Sequence, residues 1–139
     1  MKSNLIFWPV LVQILIVIAG FMLLGIRKKQ ALKNGQVDLR KTALDNDAWP
    51  DDVLKVSNNI RNQFQLPVLF YVLCFMFYIL DAVNISSLSL AWVFVISRII
   101  HAYVHMGSNF VPARFSVFTI GFVVMVLMLI QVAVNLSAA

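Results

Sequence analysis

The chain has 139 residues, of which 61% are hydrophobic and 12% charged, with a net charge of +5 and a mean hydropathy of +0.88. So few polar side chains cannot cover the surface of a water-soluble domain of this size, which leaves an integral membrane protein with a single domain over residues 1–139. The lone cysteine, Cys74, excludes a disulfide framework and a cysteine-built metal site, and its apolar surroundings read as those of a packed or lipid-facing thiol.

The first apolar run, Leu5 to Ile26, is too long for the core of a secretory signal. It leads straight into Arg27, Lys28 and Lys29 without a small-x-small cleavage pattern, and so reads as a retained span. A helix is expected over about residues 4–26, with Ser3 or Asn4 as cap and Pro9 tolerated in its first turns. Gln13 is its one interior amide, expected to bond a neighbouring helix. Residues 27–50 read as a polar loop, with a turn at Asn34-Gly35 and room for a short surface helix.

Trp49, Pro50, Asp51 and Asp52 announce a second helix, with proline near the first position and aspartates where the helix dipole favours negative charge. Over residues 51–81 it would be about 45 Å long at 1.5 Å per residue. That exceeds a hydrocarbon slab of about 30 Å, so its first turns are expected in the headgroup layer. Pro67 predicts a kink. The connection AVNISS, residues 82–87, is short enough to make the second and third helices antiparallel neighbours. The third helix is expected over residues 88–106, GSNFVP breaks it, and a fourth fills residues 115–136, where Gln131 repeats the logic of Gln13.

Charge sets the orientation. Arg27, Lys28, Lys29, Lys33, Arg40, Lys41 and Lys55 lie in or beside the first connection, Arg61 follows in the second helix, and Arg98 and Arg114 flank the third connection. This bias puts the first and third connections in the cytoplasm and both termini on the opposite side. The basicity is topological and points to no nucleic-acid partner.

Two polar stripes then fall at one depth. Asn58, Arg61, Asn62 and Gln65 are spaced i, i+3, i+4, i+7 on the second helix, and Arg98, His101 and His105 are spaced i, i+3, i+7 on the third. Arg114 precedes the fourth helix at the same level. Arg61 and Arg114, near helix ends, can also be read as snorkelling anchors, and the histidines as interhelical partners. Arg98 lies about two turns, roughly 12 Å, inside its helix end. An unpaired charge there costs on the order of 3 kcal/mol, so it should face protein or a wet cavity. No acid lies along these stripes, Asp81 is at the far end of its helix, and the chain has no glutamate. The pocket therefore seeks an anion from a ligand or a lipid headgroup. His101 and His105 alone lack the third ligand of a metal site, so no metal is expected.

NQFQLPVLFY (residues 62–71), SRIIHAYVH (residues 97–105), Pro112 and Arg114 resemble the MAPEG family, the membrane-associated proteins of eicosanoid and glutathione metabolism, and in particular its bacterial branch. The resemblance implies an all-α membrane protein, a four-transmembrane-helix bundle that assembles as a homotrimer in a bacterial inner membrane. It also implies glutathione as cosubstrate, bound between subunits near the cytoplasmic leaflet, and a small lipophilic substrate arriving from the lipid. Asn62, Arg98 and His101 match the family's ligand-binding positions, and Arg114 matches the arginine that stabilises the glutathione thiolate, the catalytic role. Gln65 replaces the family's glutamate, which receives the ligand's ammonium. Asn58 and His105 stand where better-studied members have arginine and tyrosine. The implied activity is a glutathione-dependent transferase or peroxidase. The alternative is a non-catalytic membrane protein using the same pocket for a lipid or partner protein, and a proton or solute path through the histidines is weaker because no polar line continues past the midplane.

Overall fold

The computed structural model describes residues 1–138. Ser3–Ile6 forms a 3-10 turn that runs into helix α1, Phe7–Lys33. Ile6, Val10, Gln13 and Gly20 turn inward at steps of four, three and seven, which is one face of a helix. Most of the rest of α1, such as Trp8, Leu15 and Met22, is apolar and exposed, as a surface meeting acyl chains should be. Gly20 allows α1 its close approach to the second span, since a Cβ there would stand 3.2 Å from Cγ1 of Ile60.

α1 runs on to Lys33 instead of ending near Ile26. Residues 27–33 are all good helix formers, the basic ones suit a helix C-terminus, and the first breaker is Asn34-Gly35, with Gly35 at φ +65°. A short helix α2, Leu39–Thr42, follows with Asp38 as cap, then a 3-10 turn at Asn46–Ala48. The connection is tied back onto α1. Arg27 Nη1 donates to the Asp52 carbonyl at 2.6 Å, and the Lys28 ammonium lies 4.6 Å from the Trp49 ring centre.

The second span is two helices, α3 (Asp51–Gln63) and α4 (Leu66–Ile79). The predicted kink is a break, because Phe64 and Gln65 leave the helix and Gln65 sits at φ −104°, ψ −101°. Pro67 has no N–H to give the Gln63 carbonyl and its ring would press on that group, so α3 stops there. α5, Ile85–Met106, starts three residues before the hydropathy pattern predicts. A reciprocal cap sets that start: Ser87 N–H donates to Asn84 Oδ1 at 3.0 Å, and Asn84 N–H donates to Ser87 Oγ at 2.9 Å. α6, Val111–Ala138, likewise begins before the predicted residue 115, with Pro112 in its first turn where the missing N–H costs nothing.

Four helical stretches, Ser3–Lys33, Asp51–Ile79, Ile85–Met106 and Val111–Ala138, are long and apolar enough to cross a membrane. Their shared core is apolar in the half that holds α4. Phe70 and Phe94 stack with ring centres 4.5 Å apart, among buried Cys74, Phe77, Val95 and Met128. At that half's outer end the Ser3 hydroxyl donates to the Asp81 carboxylate. The half that holds α3 is different in kind, and it contains the polar stripes.

Candidate functional site

α5 buries Ser87, Ala91, Phe94, Arg98, His101 and His105 at alternating steps of four and three. This inward seam is uncharged through Phe94 and cationic or imidazole-bearing beyond it. Ser97 Oγ donates to the Phe94 carbonyl at 2.6 Å, and Gly121 of α6 stands opposite, where a Cβ would lie 2.9 Å from Ser97 Oγ. That close approach seals α6 over the arginine's turn of α5.

Arg98 is 1% exposed, and its Nε, Nη1 and Nη2 all lack a hydrogen-bond partner. Its guanidinium carbon lies 5.9 Å from the Phe118 ring centre, a cation–π contact that satisfies no N–H. His101 and His105 are also buried, edge to face with centres 5.6 Å apart, and each has an unpartnered Nδ1. Arg114, in the first turn of α6, is held differently. Its Nη1 donates to Asn109 Oδ1 at 2.7 Å and lies 3.5 Å from His105 Nε2. Asn109 adopts φ +54°, the left-handed region that asparagine tolerates better than most residues, and this turn presents its amide to Arg114.

These groups border two adjoining cavities that share Arg114. The inner lobe, about 190 Å³, is lined by Asn62, His101, Val111, Arg114, Phe115 and Phe118. The outer lobe, about 210 Å³, is lined by Asp51, Leu54, Lys55, Asn58, His105, Asn109 and Arg114. Of the residues singled out from sequence, Asn58, Asn62, His101, His105 and Arg114 line one lobe or the other, and Arg98 lies one turn from His101, against the Phe118 wall. Arg61 and Gln65 are exposed and line neither. The break at Gln65 turns that residue away from the stripe its spacing implied.

Sequence reasoning overlooked three features. Asp51 and Lys55 extend the Asn58–Asn62 stripe outward, at steps of four, three and four, so one carboxylate does reach the cavity system. The periodicity is present in the sequence, but the helix dipole is by itself a sufficient reason for an aspartate at position 51. Asn109, in the sequence simply part of the break after the third helix, supplies the acceptor for Arg114. A second polar stripe, Asn59 and Gln63, faces α1. There Gln13 Nε2 donates to Gln63 Oε1 at 2.9 Å, and Gln63 Nε2 donates to Asn59 Oδ1 at 3.5 Å. Among the described residues no group of three or more His, Cys, Asp or Glu side chains is placed to hold a metal ion.

Chemically, the inner lobe offers cationic and amide donors against an aromatic wall, with no carboxylate among its lining residues. It suits an anion attached to an apolar body. The sequence model of the MAPEG family matches residues 5–134. Comparison with curated proteins and with solved structures finds no match.

Proposed function

Since this chain belongs to the MAPEG family, a family of glutathione-dependent transferases and peroxidases that also has non-catalytic members, we propose that it binds glutathione in the two-lobed cavity and acts on a lipophilic electrophile. The observation that carries this reading is the buried Arg98 guanidinium with three unpartnered nitrogens, beside a lobe without an acid. A permanent charge in that setting is costly unless an anion completes it.

Glutathione would supply a thiol whose sulfur, once deprotonated, attacks the electrophile and releases its leaving group. Arg114, clamped by Asn109 and His105, directs its remaining N–H groups to the lobes and favours the thiolate over the thiol. Asn62 orients the ligand's carboxylate and carbonyl oxygens from the inner lobe, and Arg98, buried behind the Phe118 wall, adds its positive charge from outside the lining. Phe115 and Phe118 present an apolar wall to the second substrate, and Phe115, 69% exposed, leaves a way in from the acyl chains. The protein acts as a homotrimer in a bacterial inner membrane, with the basic connection cytoplasmic and both termini outside.

Titrating glutathione against thermal unfolding of the purified protein tests the reading. A ligand at a hundred times its dissociation constant stabilises by about 2.7 kcal/mol. No shift at millimolar glutathione sinks it. One observation favours the second reading, a non-catalytic protein holding an anionic lipid: Gln65, at the motif's acidic position, is neutral and faces away from both lobes. A shift with anionic lipid and none with glutathione would decide for it.

A further inference from the structure

The outer lobe has a property that the inner lobe lacks: it carries both signs of charge on one helix face. Asp51 and Lys55 are one turn apart on α3, and with Asn58 and Asn62 they form a stripe that, at 100° per residue, stays within an arc of about 60°. The stripe leads from the mouth of the outer lobe to the inner lobe. Lys55 is half-buried and carries its ammonium on a flexible stem, while Asp51 is exposed at the entrance. His105, 4% exposed with Nδ1 unpartnered, borders the same lobe, so its floor is polar and unsatisfied by the chain itself.

We propose that Asp51 and Lys55 form the receptor for an amino-acid zwitterion, the γ-glutamyl end of the bound thiol, with Asp51 accepting from the ammonium and Lys55 donating to the α-carboxylate. This rests on the glutathione reading and says which way round the ligand lies. With the sulfur at Arg114, the γ-glutamyl arm is about two residues, roughly 7 Å, long, and it runs outward along the lobe that Arg114 shares. The assignment supplies the carboxylate that Gln65 does not. It also accounts for opposite charges standing side by side in a cavity whose other titratable lining groups are Arg114 and His105.

The test compares glutathione with its des-amino analogue, in which a glutaryl group replaces γ-glutamyl, by calorimetry on the full-length protein in lipid nanodiscs. The wild-type protein should prefer glutathione by about tenfold, the lower end for a charge-assisted bond at a part-exposed group. Asp51→Asn should bind both ligands alike. The exchange Asp51→Lys with Lys55→Asp preserves net charge and the one-turn pairing, and should lose glutathione affinity by more than tenfold while ligand-free thermal stability falls only by the small cost of a cation at the helix N-terminus. An Asp51→Asn variant that keeps the preference, or an exchange variant that binds normally, overturns the assignment and marks the two charges as a surface pair. Equal wild-type affinity for both ligands overturns it and leaves the glutathione reading intact. Binding of neither ligand overturns both.

Discussion

Helix α3 carries two polar stripes that the same residue types build and that do opposite things. Asn59 and Gln63 face α1 and close on Gln13 in a chain of amides, whereas Asn58 and Asn62, one residue earlier in each case, face the cavities. The first stripe meets its partner inside the chain and joins two helices, with only Gln13 Oε1 and Asn59 Nδ2 left unbonded. The second meets open volume, a buried unpartnered arginine and two imidazoles. Polar side chains within a span therefore point to a site where they border open volume, and to helix packing where they close on one another.

Removing the charge of the open side should give the largest effect and split two properties. Arg98→Met should lower glutathione affinity by at least a hundredfold, yet raise ligand-free thermal stability, because an uncompensated buried charge disappears. Calorimetry and unfolding curves read the two together, and a stability loss would mean that Arg98 has a partner within the assembled protein. The closed side predicts the reverse. Gln63→Leu leaves Gln13 and Asn59 without their bonds and should cost about 1–3 kcal/mol of stability, with the increment produced by glutathione unchanged. A lost ligand response would join the two stripes into one site.

A finer contrast lies at Asn109. Asn109→Gly keeps the left-handed turn but removes the acceptor for Arg114, so it should weaken thiolate formation by several-fold, seen as reduced ultraviolet absorbance of bound thiolate, with little change in stability. Asn109→Ala should add a backbone cost of about 1 kcal/mol. The smallest effect is expected outside both stripes. Lys28→Gln, which removes the cation over Trp49, should cost about 0.5–1 kcal/mol and leave ligand affinity alone.

Much of this organisation is written locally. The seam of Arg98, His101 and His105 follows from steps of three and four, and the four spans follow from run length and hydropathy. Gln65 illustrates the limit: its spacing placed it with Asn58 and Asn62, but the break forced by Pro67 two residues later rotates it out. Asp51 illustrates another limit, since the helix dipole is a sufficient local explanation that says nothing of its place at a cavity. The pairing of Gln13 with Gln63 joins residues fifty apart in sequence, and no periodicity along either helix announces it.

The amino-acid sequence alone determined that this chain belongs in a bilayer, with its cations gathered toward one side and Arg98 in need of company. Those outcomes are sums of transfer energies over neighbouring residues, which composition and order already contain. Which polar groups find that company, and which are left lining a cavity, was decided only when the helices packed. A hydrogen bond needs two specific atoms within about 3 Å of each other, and helix rotation, a proline break and a glycine contact set that distance.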